Sequence, residues 1–225
     1  MYNYAPASNY AFPALRPEQY VRPAVETPVL PIQQNKSSDS VIAVENLKWT
    51  LLVAQARRCE NFENYPQAEI LWLRALDVTH EFSLRDTRVT DTLKNISNFY
   101  YRLGEFDKAE NYALMEAELT HRAHGGSHIR AANSMNSLGA IYFAQESFPA
   151  AELCFRQALR VYSRFYGRDD KRTMQATQSL ALVIARQGKK ELAMRYFLQA
   201  YQTSEKVYGE NNPFGRMIVT QMASA

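Results

Sequence analysis

Apolar and polar residues alternate with a helical period along most of the chain, and the period is clearest in residues 137–167. This segment, SLGAIYFAQESFPAAELCFRQALRVYSRFYG, places apolar residues three or four positions apart, the spacing of one helix face. From Val41 onward, proline occurs only as Pro66, Pro149 and Pro213. The first two stand where a helix would begin, a position that tolerates proline. The pattern predicts a chain that is helical almost throughout.

The helical pattern recurs every 41 or 42 residues. Each unit predicts a first helix, such as 133–145, then a tight turn and a longer second helix. The predicted second helices are 66–82, 107–123, 148–165 and 190–207. A single hairpin of this kind cannot bury its apolar stripe, so neighbouring hairpins are expected to stack into a solenoid.

Small and aromatic residues mark the register of the second helices. An alanine stands early in each one, an aromatic residue or alanine follows four positions later, and the residue seven positions later is alanine in three units. The aligned sets are Ala68, Ala109, Ala151 and Ala193; Trp72, Ala113, Phe155 and Phe197; and Ala75, Glu116, Ala158 and Ala200. Small residues allow the two helices to approach closely, and the aromatic residues fill the gap to the next unit.

The turns between helices follow the same register. Glu63, Gly104, Glu146 and Gly188 lie between the two helices of each unit. Gly125, Gly167 and Gly209 follow the later helix pairs. Glycine suits the left-handed conformation that closes a helix.

The segment LGAIYFAQESFPAAELCFRQAL resembles the tetratricopeptide repeat. The matching residues are Leu138, Gly139, Tyr142, Ala151, Phe155 and Ala158. The usual unit has about 34 residues, and the eight extra residues here amount to roughly two helical turns. This longer unit, with glycine after RFY and KVY, resembles the kinesin-light-chain subclass. The resemblance covers about residues 41–212, and it does not identify kinesin cargo transport.

The resemblance implies an all-α fold, a right-handed solenoid of about four tetratricopeptide repeats. The expected repeats are 46–86, 87–128, 129–170 and 171–212. Residues 213–225 are expected to form a capping helix through Phe214, Met217, Ile218 and Met222, and self-association through this helix is a competing interpretation. Residues 1–39 hold six of the nine prolines and predict a disordered, Pro- and Tyr-rich tail.

The aromatic residues of the tail leave its role open. It is either an unconstrained segment or a docking segment, and one hypothesis is that it occupies the solenoid groove in cis.

In tetratricopeptide proteins the first helices line a concave groove that binds peptides. The register places the candidate groove residues at Lys94, Asn98, Tyr101, Arg102, Asn133, Asn136, Gln175, Gln178 and Arg186, with Arg57 and Asn61 less certain in register. Amides can pair with any peptide backbone, and the cations favour an acidic segment. Lys94 and Asn98 match the first pair of the carboxylate clamp found in some co-chaperones. The later clamp positions hold Ser137, Gln175 and Ser179, so that clamp is not expected.

Composition and motifs limit the other function classes. A net charge of +3 gives no reason to expect nucleic acid, and no apolar run is long enough for membrane insertion. The N-terminus lacks the pattern of a signal peptide, which favours a cytoplasmic location. His121, His124 and His128 are interpreted as a polar loop, and Cys59 and Cys154 as core. No catalytic or nucleotide-binding motif appears, so neither enzyme activity nor a cofactor is expected.

These observations predict a non-enzymatic adaptor that binds a peptide segment of a protein partner in its groove. The alternative is a structural or assembly subunit that contacts a larger complex through its convex face and its N-terminal tail.

Overall fold

A computed structural model describes residues 39–83 and 86–224 of the chain, so residues 1–38 of the predicted tail lie outside the described residues. Within those ranges every regular element is a helix. The α-helices are α1 (Asp39–Asn61), α2 (Tyr65–Val78), α3 (Thr87–Arg102), α4 (Phe106–His124), α5 (Ile129–Ala144), α6 (Phe148–Tyr166), α7 (Lys171–Arg186), α8 (Lys190–Tyr208) and α9 (Pro213–Ala223). Helices α1 to α8 pair into four hairpins, which confirms the predicted all-α solenoid.

The helix ends follow the predictions closely, with two differences. Helices α4, α6 and α8 begin and end within one residue of the predicted second helices. Helix α2 ends at Val78, short of the predicted residue 82, and a 3₁₀ turn follows at Thr79–Glu81. The Thr79 hydroxyl donates to the Leu76 carbonyl at 2.6 Å, a local bond that competes with continued helix.

The second difference concerns the first helix of the third repeat. Helix α5 begins at Ile129 instead of residue 133 and ends at Ala144 instead of residue 145. Its early start is explained by His128, whose Nδ1 accepts from the Arg130 backbone N–H at 3.2 Å. A side-chain acceptor at this position satisfies one of the unpaired donors of the first turn.

The tight turn inside each hairpin places one residue in the left-handed region of backbone conformation. Gly104 has a φ of 76° and Gly188 of 79°, while Glu63 and Glu146 have φ of 59° and 60°. All four occupy the same register position, so the turn geometry is kept even where glycine is absent.

The small residues of the second helices form the contact between the helices of each hairpin. Ala68, Ala109, Ala151 and Ala193 are completely buried. The facing residue Gly139 in α5 lies so close to Phe155 that a Cβ atom there would stand 2.9 Å from the ring. Close approach of this kind requires a small residue, as the register predicts.

Part of the outer face of α1 is polar where the same face of the later first helices is buried. Lys48, Gln55 and Arg58 are exposed. The residues aligned with them at steps of 41, 42 and 42 are all buried. They are Val89, Ala131 and Thr173 for Lys48, then Ile96, Leu138 and Leu180 for Gln55, and Phe99, Ile141 and Val183 for Arg58. A terminal repeat needs a polar outer face. Val44, Leu47 and Leu51 of α1 are 61%, 67% and 61% exposed, so its polar residues close this end of the stack only in part.

Helix α9 covers the other end of the stack. Ile218 is fully buried in the apolar cluster of the fourth repeat, and Phe214 and Met222 pack against that cluster. The Phe214 ring stacks on Tyr208 with centroids 4.7 Å apart. Met217 is 42% exposed, so it lies outside this contact. No helix of the described ranges is long and apolar enough to cross a bilayer.

Candidate peptide-binding groove

The first helices of consecutive repeats form two open pockets that contain most of the predicted groove residues. The first groove pocket, a cavity of about 490 Å³, is lined by Arg57, Glu60, Asn61, Trp72, Asn95, Asn98, Tyr101 and Arg102. The second groove pocket, of about 270 Å³, is lined by Lys94, Asn133, Asn136, Ser137, Tyr162, Arg172 and Gln175. Side chains that are far apart in the sequence therefore line the same pocket.

Glu60 contacts two other residues that line the first groove pocket. Its side chain is only 6% exposed and forms an ion pair with Arg102. It also accepts a hydrogen bond from the indole Nε1 of Trp72. These contacts fix Arg102 and neutralise its charge. Sequence reasoning missed Glu60, although it is aligned with Tyr101 at a step of 41 residues.

Tyr162 and Arg172, also missed from the sequence, shape the second groove pocket. The Tyr162 hydroxyl donates to Asn133 Oδ1 at 2.9 Å. Burial raises the pKa of Tyr162 to about 12, so the phenol keeps its proton near neutral pH and remains a donor. The Arg172 guanidinium lies over the Tyr166 ring, 4.3 Å from its centroid, a cation–π contact that restrains it. Tyr162 contacts the other helix of its own repeat and Arg172 contacts the preceding repeat, and no groove pattern marks either contact.

Two predicted groove residues lie outside both pockets. Arg186 is exposed and stands over the Phe143 ring at 5.4 Å from its centroid. Gln178 is buried, and its Nε2 donates to Gln221 Oε1 at 2.7 Å. Gln178 thus holds α9 in place and is inaccessible to a partner, because the capping helix covers the position that Lys94 and Asn136 occupy in earlier repeats.

His121 and His124 lie in the last turn of α4 and not in a loop, and His128 immediately precedes α5. The rings of His124 and His128 stack with centroids 4.6 Å apart, and His128 caps α5. Within the described ranges, no three side chains of metal-binding type are grouped to hold an ion. Cys59 and Cys154 are both free thiols. Burial raises the pKa of Cys154 to about 12.

Comparison with known families agrees with this architecture. Two models described as tetratricopeptide repeat match residues 88–164 and 173–214. The chain is a tetratricopeptide repeat protein, and its long units resemble the kinesin-light-chain-like subclass. No curated protein matches its sequence.

Solved structures share the fold at low sequence identity. BtubC (BKLC) from P. vanneervenii is 19% identical, with a TM-score of 0.72 over 82% of this chain and 73% of that one. A variant of a putative kinesin light chain with nearly identical TPR-like repeats from Podosopora anserina is 13% identical, with a TM-score of 0.70 over 79% and 84%.

A third structure contains a ligand. The Rap conjugation gene regulator of the plasmid pLS20, in complex with the Phr* peptide, is 17% identical with a TM-score of 0.60. The match covers 86% of this chain and 53% of that one.

Proposed function

We propose that this protein is a non-enzymatic adaptor that holds an extended peptide segment of a protein partner in its concave groove. The observation that carries the proposal is the pair of open pockets along the first helices. Each pocket joins side chains of at least two repeats, and both are rich in amides. A bound segment that follows the groove would meet both pockets in turn.

The chemistry of the pockets suits a peptide backbone. The side chains of Asn98, Asn136 and Gln175 carry both donors and acceptors, and each reaches a pocket surface. Tyr101 is 38% exposed at the first groove pocket, where its ring offers a surface for an apolar side chain. The Rap regulator, which is solved with a peptide, supports this use of a similar fold.

The test uses two variants of matched composition. The groove variant carries Lys94→Ala, Asn98→Ala and Asn136→Ala. The control carries Arg195→Ala, Gln199→Ala and Gln202→Ala, three exposed residues of the second helix α8. Peptides selected by the full-length chain from a displayed random dodecapeptide library would be measured against both variants by fluorescence anisotropy.

We expect the groove variant to bind the selected peptides at least about tenfold more weakly, since each lost hydrogen bond contributes about 1 kcal/mol. The control should bind as the wild type does, and circular dichroism with thermal melting checks that both fold. Equal affinity of the groove variant and the wild type would overturn the proposal.

A second candidate function is that of a structural or assembly subunit. Leu153, Met194 and Leu198 are 46%, 42% and 47% exposed on the second helices, which offers apolar contacts on the convex face. Self-association through α9 has similar support, because Met217 and Val219 are 42% and 50% exposed. Size-exclusion chromatography with light scattering, comparing the wild type with Met217→Ser and Val219→Ser, tests the self-association.

A further inference from the structure

One arginine recurs at the same place in three repeats, two residues after the residue that caps the first helix. These arginines are Arg88, Arg130 and Arg172. Arg130 pairs with Asp91 of the preceding first helix at 3.7 Å. The residue aligned with Asp91 one repeat later, 42 residues on, is Asn133. Arg172 therefore shares its pocket with the amide of Asn133, whereas Arg130 pairs with the carboxylate of Asp91.

The second groove pocket carries positive charge that no carboxylate of its own lining balances. Lys94 and Arg172 both line it, and neither forms an ion pair with any residue of the ranges described. No carboxylate lines the pocket. The carboxylate of Glu116 does not line the pocket, and it is buried against Ser134. Burial raises the pKa of Glu116, against a smaller lowering from its hydroxyl partners and from the charge of Lys94.

Three of the seven side chains that line this pocket, Lys94, Asn133 and Arg172, can present donors to a ligand. Asn133 Oδ1 accepts from the Tyr162 hydroxyl at 2.9 Å, which leaves the two Nδ2 hydrogens of Asn133 to point elsewhere. The side chains of Lys94 and Arg172 have donors and no acceptor. Donors and positive charge together are the complement of an oxyanion.

We propose that the second groove pocket is an anion subsite that holds a side-chain carboxylate or a phosphate group of the bound segment. The proposal rests on the groove function proposed above and specifies the chemistry of one position in it. The first groove pocket carries less positive charge, because Glu60 pairs with Arg102 and leaves Arg57 as its other cation. An acidic residue of the segment would thus be held more strongly at the second groove pocket than at the first.

The test uses three capped heptapeptides as probes. In all three, serine alternates with a second residue, which is glutamate, glutamine or phosphoserine. Side-chain amide signals of Asn136 and Gln175 would be followed by ¹⁵N NMR during titration of the full-length chain. We expect saturable shifts with the glutamate or the phosphoserine probe, or with both, at least about tenfold tighter than with the glutamine probe. Comparison of the two anionic probes distinguishes carboxylate from phosphate, and salt should weaken both.

Asn133→Asp keeps the shape of the pocket and changes its charge. It places beside Arg172 the carboxylate that Arg130 already has, and it should remove the preference for the anionic probes. Asp91→Asn frees Arg130, which does not line this pocket, and should leave the preference for the anionic probes intact. Arg195→Gln, on the exposed face of α8, is the control for a general change in net charge and should behave as the wild type does.

The outcomes separate this proposal from the groove function. If the glutamine probe binds as tightly as the anionic probes, or if Asn133→Asp leaves the preference intact, the pocket is not an anion subsite. The same holds if no probe shifts the groove amides. In each case the adaptor proposal is judged separately, by the binding of library-selected peptides to the Lys94, Asn98 and Asn136 variant.

Discussion

Glu116 accepts a hydrogen bond from the Ser134 hydroxyl at 2.8 Å across the boundary between the second and third repeats. Glu116 is 7% exposed and occupies the register position at which Ala75, Ala158 and Ala200 are completely buried. A buried carboxylate needs hydrogen-bond partners, and the repeat supplies them with two hydroxyl groups, the second from Thr120 at 3.3 Å. The second repeat thus replaces a small apolar contact with a polar one.

The burial of Glu116 predicts a pH-dependent contribution to stability. Burial raises its pKa above the ordinary value of 4.5. A carboxyl whose pKa is higher in the folded than in the unfolded chain stabilises the fold below its ordinary pKa. This contribution is lost as the pH rises through the folded-state pKa, because the unfolded chain then releases the proton more readily.

Glu116→Gln keeps the shape of the side chain and removes its ionisable carboxyl group. We expect the free energy of unfolding of the wild type to fall relative to this variant as the pH rises above 4.5, as measured by urea denaturation over a range of pH. Glu118→Gln, at an exposed position of the same helix, should show no comparable change. A constant difference between the wild type and Glu116→Gln across this range would contradict the prediction.

The solenoid was predictable from the sequence because each repeat places small residues and glycine at the positions where the packing and the turns require them. Ala151 and Gly139 are small since two helices touch there, and Gly104 stands where the backbone is left-handed. The pockets were only partly predictable. Lys94 and Asn136 follow from the register alone, whereas Glu60 and Tyr162 reach the groove through contacts with other helices. Gln178 has the register of a groove residue, but α9 covers it.

The buried thiol of Cys154 should be unreactive in the folded protein. Burial raises its pKa to about 12, so only roughly one thiol in ten thousand is ionised at about pH 8, and the thiolate is the nucleophile. We expect iodoacetamide to modify the half-buried Cys59 first and Cys154 only after denaturation, as followed by peptide mass spectrometry. The Cys59→Ser variant provides the control, and rapid labelling of its remaining thiol under native conditions would contradict the prediction.

His128 caps α5 at a position where α3 and α7 have the stronger capping residue aspartate. Asp86 and Asp170 accept from the backbone N–H two residues on at 2.9 Å and 2.8 Å, against 3.2 Å for His128. Aspartate is among the preferred caps, and its charge suits a helix N-terminus. His128→Asp should therefore raise the free energy of unfolding by about 0.5–1 kcal/mol.

Thermal and urea denaturation would measure the effect of His128→Asp. Ser127→Asp adds the same charge one residue before the cap and should give a smaller change. An unchanged or lower stability of His128→Asp would show that the ring stacking with His124 outweighs the better cap.

Glycine should stabilise the left-handed position of the turn inside each hairpin. This can be tested by introducing glycine at two repeats and by removing it at a third. Glu63 and Glu146 have φ of 59° and 60°, a conformation that costs a residue with a side chain about 1 kcal/mol or more. Glycine adopts it without strain but loses more backbone entropy on folding. We expect Glu63→Gly and Glu146→Gly each to raise the free energy of unfolding by about 0.5 kcal/mol.

The reverse substitution at the same register position provides the matched control. Gly104 has a φ of 76°, and a Cβ atom there would meet nothing within 4 Å. Gly104→Ala should therefore lower stability by about 1 kcal/mol through backbone strain alone. The two changes test the same φ, because one introduces glycine there and the other removes it. If Glu146→Gly destabilises the protein while Gly104→Ala does not, backbone conformation does not determine which residue this turn prefers.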